Sequence, residues 1–243
     1  MTDAQFSVII YSLIAGISTI IGTILIFANE KLVKKHSVYL ISFAAGIMLA
    51  TSFLHLIPES LEISENVSIF VFIGFLIFYV IQNYLITIHP CNEANCEVHR
   101  LGIMSFIGLA IHSLLDGIAI AIGFEVSSSI GIFTAVAVIL HEFPEGLITT
   151  GILMHTNLKK QKIWIYSLVV ALATPFGAIV SLFLIRNLQP NILGNALSIT
   201  AGSFIYLAAS DLIPEMHKSK RKINSLILIF GIIFVYLLGK LFH

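Results

Sequence analysis

The sequence predicts an all-α membrane protein with eight transmembrane helices in a 3+2+3 inverted-repeat arrangement. It forms one domain over residues 1–243, with N and C termini outside. Three observations predict this. Hydrophobic residues make up 58% of the chain and charged ones only 11%, against about a quarter charged in soluble domains. The apolar excess is gathered into long runs separated by short polar breaks. Finally, Ala45–Glu59 and Ala201–Glu215 read alike in register, 156 residues apart.

About 20 mainly apolar residues cross a hydrocarbon core, and eight runs qualify: 5–27, 38–58, 67–88, 102–123, 130–154, 163–185, 192–216 and 223–242. No cleavable leader is expected, because residues 1–5 lack a basic stretch and the first run is long enough to span. The breaks after spans 1, 3, 5 and 7 hold Lys31, Lys34, Lys35, Arg100, Lys159, Lys160, Lys162, Lys218, Lys220, Arg221 and Lys222. Only Arg186 and Lys240 lie on the other side. The positive-inside rule therefore places those four breaks in the cytosol. The repeat matches Ala45 and Gly46 with Ala201 and Gly202, and Leu56, Ile57, Pro58 and Glu59 with Leu212, Ile213, Pro214 and Glu215. Spans 2 and 7 run in opposite directions, so the copies are inverted. "HSLLDG" from His112 and "HEFPEG" from His141 repeat the motif on the antiparallel spans 4 and 5.

Those two spans carry the chemistry. Asp116, Glu142 and Glu145 lie inside them, and no span centre holds a Lys or Arg to pair with them. Each ionised carboxylate at mid-bilayer costs about 2.5–3.5 kcal/mol on insertion scales, so the three need protons, water or a cation. His112 and Asp116 share a helix face at a spacing of four, as do His141 and Glu145. If the faces meet, two imidazoles and two carboxylates converge, and the two anionic oxygens neutralise one divalent ion. Mixed nitrogen and oxygen ligands suit zinc, iron(II), manganese or cadmium better than calcium or magnesium.

Other polar groups flank this centre. "HLIPESLEISEN" carries His55 and Glu59 at the expected outer end of span 2, a candidate entrance. "DLIPEMHK" carries Asp211 and Glu215 at the inner end of span 7, a candidate exit. Pro58, Pro144, Pro175 and Pro214 should kink their helices and free the carbonyls of Leu54, Leu140, Ala171 and Ser210. The break near 89–101 holds His89, Cys91, Cys96 and His99, a candidate transient metal holder in the reducing cytosol.

On "HSLLDG", "HEFPEG", "HLIPE" and "DLIPE" the sequence resembles the ZIP family (Zrt-, Irt-like proteins) of divalent metal transporters, along its whole length. The resemblance implies a primary transport site of His112, Asp116, His141 and Glu145. It implies an adjacent weaker site at Ser113 and Glu142, metal movement into the cytosol by an elevator-like motion, and homodimers. It departs at Ser113, where many members have Asn, at Leu115, where some have Pro, and at Thr174, where a number of bacterial members have Glu. A single main metal is therefore expected. Zinc is the expected substrate, with no organic cofactor. The bilayer and a second copy are the expected partners, and a zero net charge gives no sign of nucleic acid. A bacterial inner membrane fits the small loops. One alternative reading is an intramembrane zinc hydrolase, since "HEFPE" begins like H-E-x-x-H, but Glu145 stands where the second His would be.

Overall fold

The computed structural model describes residues 2–87, 94–154, 158–185, 188–219 and 221–242. It is helical throughout: α1 (Asp3–Ala28), α2 (Glu30–Thr51), α3 (Ile57–Ile63), α4 (Val67–Thr87), α5 (Ala94–Val126), α6 (Ser128–Met154), α7 (Lys160–Leu184), α8 (Pro190–Leu207), α9 (Ile213–Lys218) and α10 (Ile223–Phe242). Among the described residues seven stretches are long and apolar enough to cross a bilayer, and α4 adds a shorter apolar stretch, Val67–Asn83. The helix ends follow local chemistry. Thr2 and Gln5 form a reciprocal capping box at α1. Ser127, alone between α5 and α6, accepts the Ile130 N–H at 3.2 Å.

Two boundaries differ from expectation. Span 2 does not stop at Pro58. Residues Ser52–Leu56 form a π-helical turn in which the Ile57 N–H reaches back to the Ser52 carbonyl, and α3 then continues to Ile63. Pro58 follows this wider turn directly, and the turn accommodates its missing N–H within a helix that runs on. The repeat copy behaves alike: Ala208–Leu212 is a π-helical turn, Ile213 donates to Ala208, and Pro214 opens α9. Span 4 begins early, at Ala94, because no Pro or Gly interrupts the chain from there to Leu101. Cys96 and His99 therefore lie on α5 rather than in a loop, and His89 and Cys91 lie outside the described residues.

Pro144 and Pro175 sit inside α6 and α7, which remain helical. The Ala171 carbonyl that Pro175 frees is met by α1. A Cβ at Gly16 would lie 2.3 Å from that oxygen, so the carbonyl takes part in helix packing.

The helices pack on glycines placed reciprocally. Gly22 of α1 lies against the Phe143 carbonyl and Gly146 of α6 against that of Thr19. Gly117 of α5 faces the Thr174 carbonyl, and Gly177 of α7 faces Leu114. Gly46 and Gly231 join α2 to α10, and Gly74 and Gly202 join α4 to α8. Only a missing Cβ lets backbones approach this closely. The apolar core gathers Ile47, Met48, Ile120, Phe133, Val138 and Phe204. Other large apolar side chains face outward, among them Ile17, Phe176, Phe183 and Phe230. Serines and threonines lie inside, and many bond a carbonyl one turn back, as Ser52 does to Met48 and Ser181 to Gly177.

Candidate metal site

Helices α5 and α6 are antiparallel neighbours joined by a single residue, so their His-x-x-x-acid faces are brought side by side. His112, Asp116, His141 and Glu145 each offer one ligand atom, and these atoms all lie within 4.8 Å of one another. All four side chains are buried. Asp116 Oδ2 lies 2.9 Å from His141 Nε2 and 3.2 Å from His112 Nε2. His112 Nε2 is also 3.3 Å from Glu145 Oε2. Ligands about 2.0–2.1 Å from a tetrahedral zinc stand about 3.3 Å apart, so adjustments on the order of 1 Å close the group around such an ion.

Hydrogen bonds orient these atoms. His141 Nδ1–H donates to the Ala137 carbonyl one turn back, at 2.8 Å. That fixes the tautomer and leaves the Nε2 lone pair facing the Asp116 carboxylate. Two electron-rich atoms at 2.9 Å call for a proton or a metal ion between them. Ser113 Oγ donates to Glu145 Oε1 at 3.1 Å. Ring edges close the sides: Phe78 meets His112 and Phe204 meets His141 in T-shaped contacts. Toward the α5–α6 turn lie Ile120, Phe124, Ile130, Phe133 and Val138, all buried and all apolar.

The flanking candidates fall elsewhere. Glu142 is fully buried, and its two carboxylate oxygens accept hydrogen bonds from Thr19 of α1 and, at 2.7 Å, from Thr174 of α7. Ser113 bonds Glu145, and among the described residues it makes no hydrogen bond to Glu142. His55, in the first π-helical turn, stacks on Phe133 with ring centroids 3.7 Å apart, and Glu59 is half-buried on α3. Asp211, at the matching position of the second π-helical turn, accepts from Gln82 at 2.6 Å. Glu215 pairs with Lys218 at 2.6 Å. The sequence reading missed Thr19. Its signal was the run of small residues on one α1 face, Ser12, Ala15, Gly16, Thr19, Gly22 and Thr23, all buried. Gln82 had no such signal.

Helices long and apolar enough to cross a membrane, around a buried His/carboxylate group that could hold a metal ion, fit an integral, multi-pass metal-transport protein. The chain belongs to the ZIP zinc transporter family, whose model matches residues 3–101 and 89–239. It is 26% identical over 234 residues to the zinc transporter ZupT of Streptococcus mutans, covering 88% of this chain and 89% of that one. ZupT of Chlorobium limicola is 27% identical over 259 residues, covering 96% and 97%. Zinc transporter ZIP13 of Pongo abelii is 27% identical over 229 residues, covering 85% and 68%.

Proposed function

We propose that this protein moves zinc across the membrane into the cytosol, one ion at a time, between His112, Asp116, His141 and Glu145. The observation that carries this reading is the convergence of four ligand atoms within 4.8 Å, buried in a bundle whose outer surface is apolar. The ligand set also accepts iron(II), manganese and cadmium. Occupation of both Glu142 oxygens by threonine hydroxyls supports one main metal rather than two, and leaves Ser113 as a group that positions Glu145.

The same reading treats the chain as one domain, a 3+2+3 inverted repeat with both termini outside. Packing pairs that exchange under the repeat support it: α1 with α6 corresponds to α7 with α5, and α4 with α8 to α10 with α2. His55 and Glu59 serve as the entrance and Asp211 and Glu215 as the exit. The matching positions of His55 and Asp211 in the two π-helical turns support a path with two related ends. A homodimer completes the proposal, in a bacterial plasma membrane, a setting that the bacterial ZupT relatives support. The test is radiolabelled zinc flux into proteoliposomes. His141→Ala and Glu145→Ala should each abolish uptake, and normal uptake in both would sink the site. Anomalous scattering should find one zinc in the core of each chain, and two tightly held ions would refute the single-metal reading.

A further inference from the structure

A cavity of about 280 Å³ opens between α1 and α7, lined by Ile20, Thr23, Trp164, Ile165, Ser167 and Leu168. Trp164, Ile165 and Leu168 are among the exposed apolar residues of the outer surface. Thr23 and Ser167 form a buried floor, but both hydroxyls are engaged with Thr150 of α6, each at 3.0 Å. The floor thus turns its carbon atoms to the cavity. A water needs two to four polar partners, and this wall offers almost none, so the cavity suits hydrocarbon.

The rim has different chemistry. Trp164 stacks on Phe27 with centroids 5.2 Å apart and planes at 12°, and tryptophan favours the boundary between acyl chains and headgroups. Just beyond it, at the start of α7, Lys159, Lys160 and Lys162 are exposed. Among the described residues no carboxylate pairs with any of them. Along a helix Lys160 stands about 6 Å above Trp164 and about 12 Å above Leu168. The headgroup layer is about 5–7 Å deep on each side of a bilayer. Lys160, one turn before Trp164, therefore sits at headgroup depth over an apolar slot at acyl-chain depth, and Lys159 and Lys162 add positive charge at the same level.

We propose that this cleft binds a membrane phospholipid with an anionic headgroup. Its upper acyl chain fills the slot between α1 and α7, and its phosphate meets Lys160, with Lys159 and Lys162 adding positive charge at headgroup depth. The lipid then lies against the two helices that supply Thr19 and Thr174 to Glu142.

The test uses the full chain purified in nonionic detergent with equal amounts of phosphatidylglycerol and phosphatidylcholine, and native mass spectrometry to count retained lipid. The wild type should retain phosphatidylglycerol in preference. Each lysine replaced by Gln should lower that preference by about fivefold, and the triple variant K159Q/K160Q/K162Q should lose it. Trp164→Ala should lower retention of both lipids, and Lys240→Gln should change neither. All these positions are exposed, and unchanged helical circular dichroism verifies folding. Equal retention of both lipids by the wild type, or an undiminished preference in the triple variant, would overturn the proposal. So would a lipid-free dimer that Trp164→Ala dissociates, because a second copy would then fill the cleft.

Discussion

Glu145 and Glu142 stand three residues apart on one helix and face different chemistry. Glu145 meets His112 and takes one hydrogen bond, from Ser113, while both oxygens of Glu142 are held by threonines of two other helices. Helical spacing made the first half of this legible, because i and i+4 positions share a face whatever the neighbours do. It could not say which side chains of α1 and α7 meet the other face, so Thr19 and the true partner of Ser113 emerged only from packing. Two predictions follow from these contacts. Ser113→Ala leaves Glu145 Oε1 without its donor and should weaken zinc binding about tenfold, measured by calorimetry, with the melting temperature nearly unchanged. Thr174→Val keeps shape but removes one donor to buried Glu142. It should destabilise the fold by about 1–2 kcal/mol, read as a lower midpoint in thermal unfolding. Unaltered stability would mean the Glu142 contact contributes nothing net.

Each central helix is positioned by a close approach at a glycine, so the geometry of the metal group depends on how near two backbones come. A Cβ at Gly117 would lie 1.9 Å from the Thr174 carbonyl and 2.6 Å from the Ala178 nitrogen, both backbone atoms. Gly117→Ala must therefore push α5, which carries His112 and Asp116, away from α7. Overpacking of this kind costs about 1–3 kcal/mol, and zinc binding should fall along with the melting temperature. Gly151→Ala is the contrasting case. Its nearest neighbour is the end of the Ile26 side chain at 3.6 Å, so it should be tolerated in both measurements. If the two alanine variants behaved alike, the close approach would not set the site. At this scale the sequence reading found the helices but not their continuations. Span 2 is expected to stop at Pro58 and both "IPE" prolines to kink their helices, yet a π-helical turn ahead of each proline absorbs the misfit and the helix continues at both repeat copies.

For the whole molecule polarity is partly inverted relative to a soluble domain: Phe176, Phe183 and many other large apolar side chains face outward, while Asp116, Glu142, Glu145 and several threonines lie inside beside the apolar core. That inversion was plain in the sequence because apolar runs near 20 residues have one economical use, a bilayer crossing. The direction of each crossing is a separate matter, set by where lysines and arginines would have to be translocated. The lysines at 159, 160 and 162 favour the cytosolic side, whereas the stretch ending at Glu65 holds no Lys or Arg to oppose translocation. Glu65 follows span 2 and is exposed, and Lys162 precedes most of α7 and is exposed. In a Cys91→Ser, Cys96→Ser background, Glu65→Cys should react with a membrane-impermeant maleimide added to intact cells. Lys162→Cys should react only after permeabilisation. Short breaks rich in lysine and arginine are retained on the cytosolic side, which is why the reverse labelling pattern is not expected. Were it seen, both termini would be cytosolic, and the His55 and Asp211 ends of the path would exchange roles while the metal group between them stayed as it is.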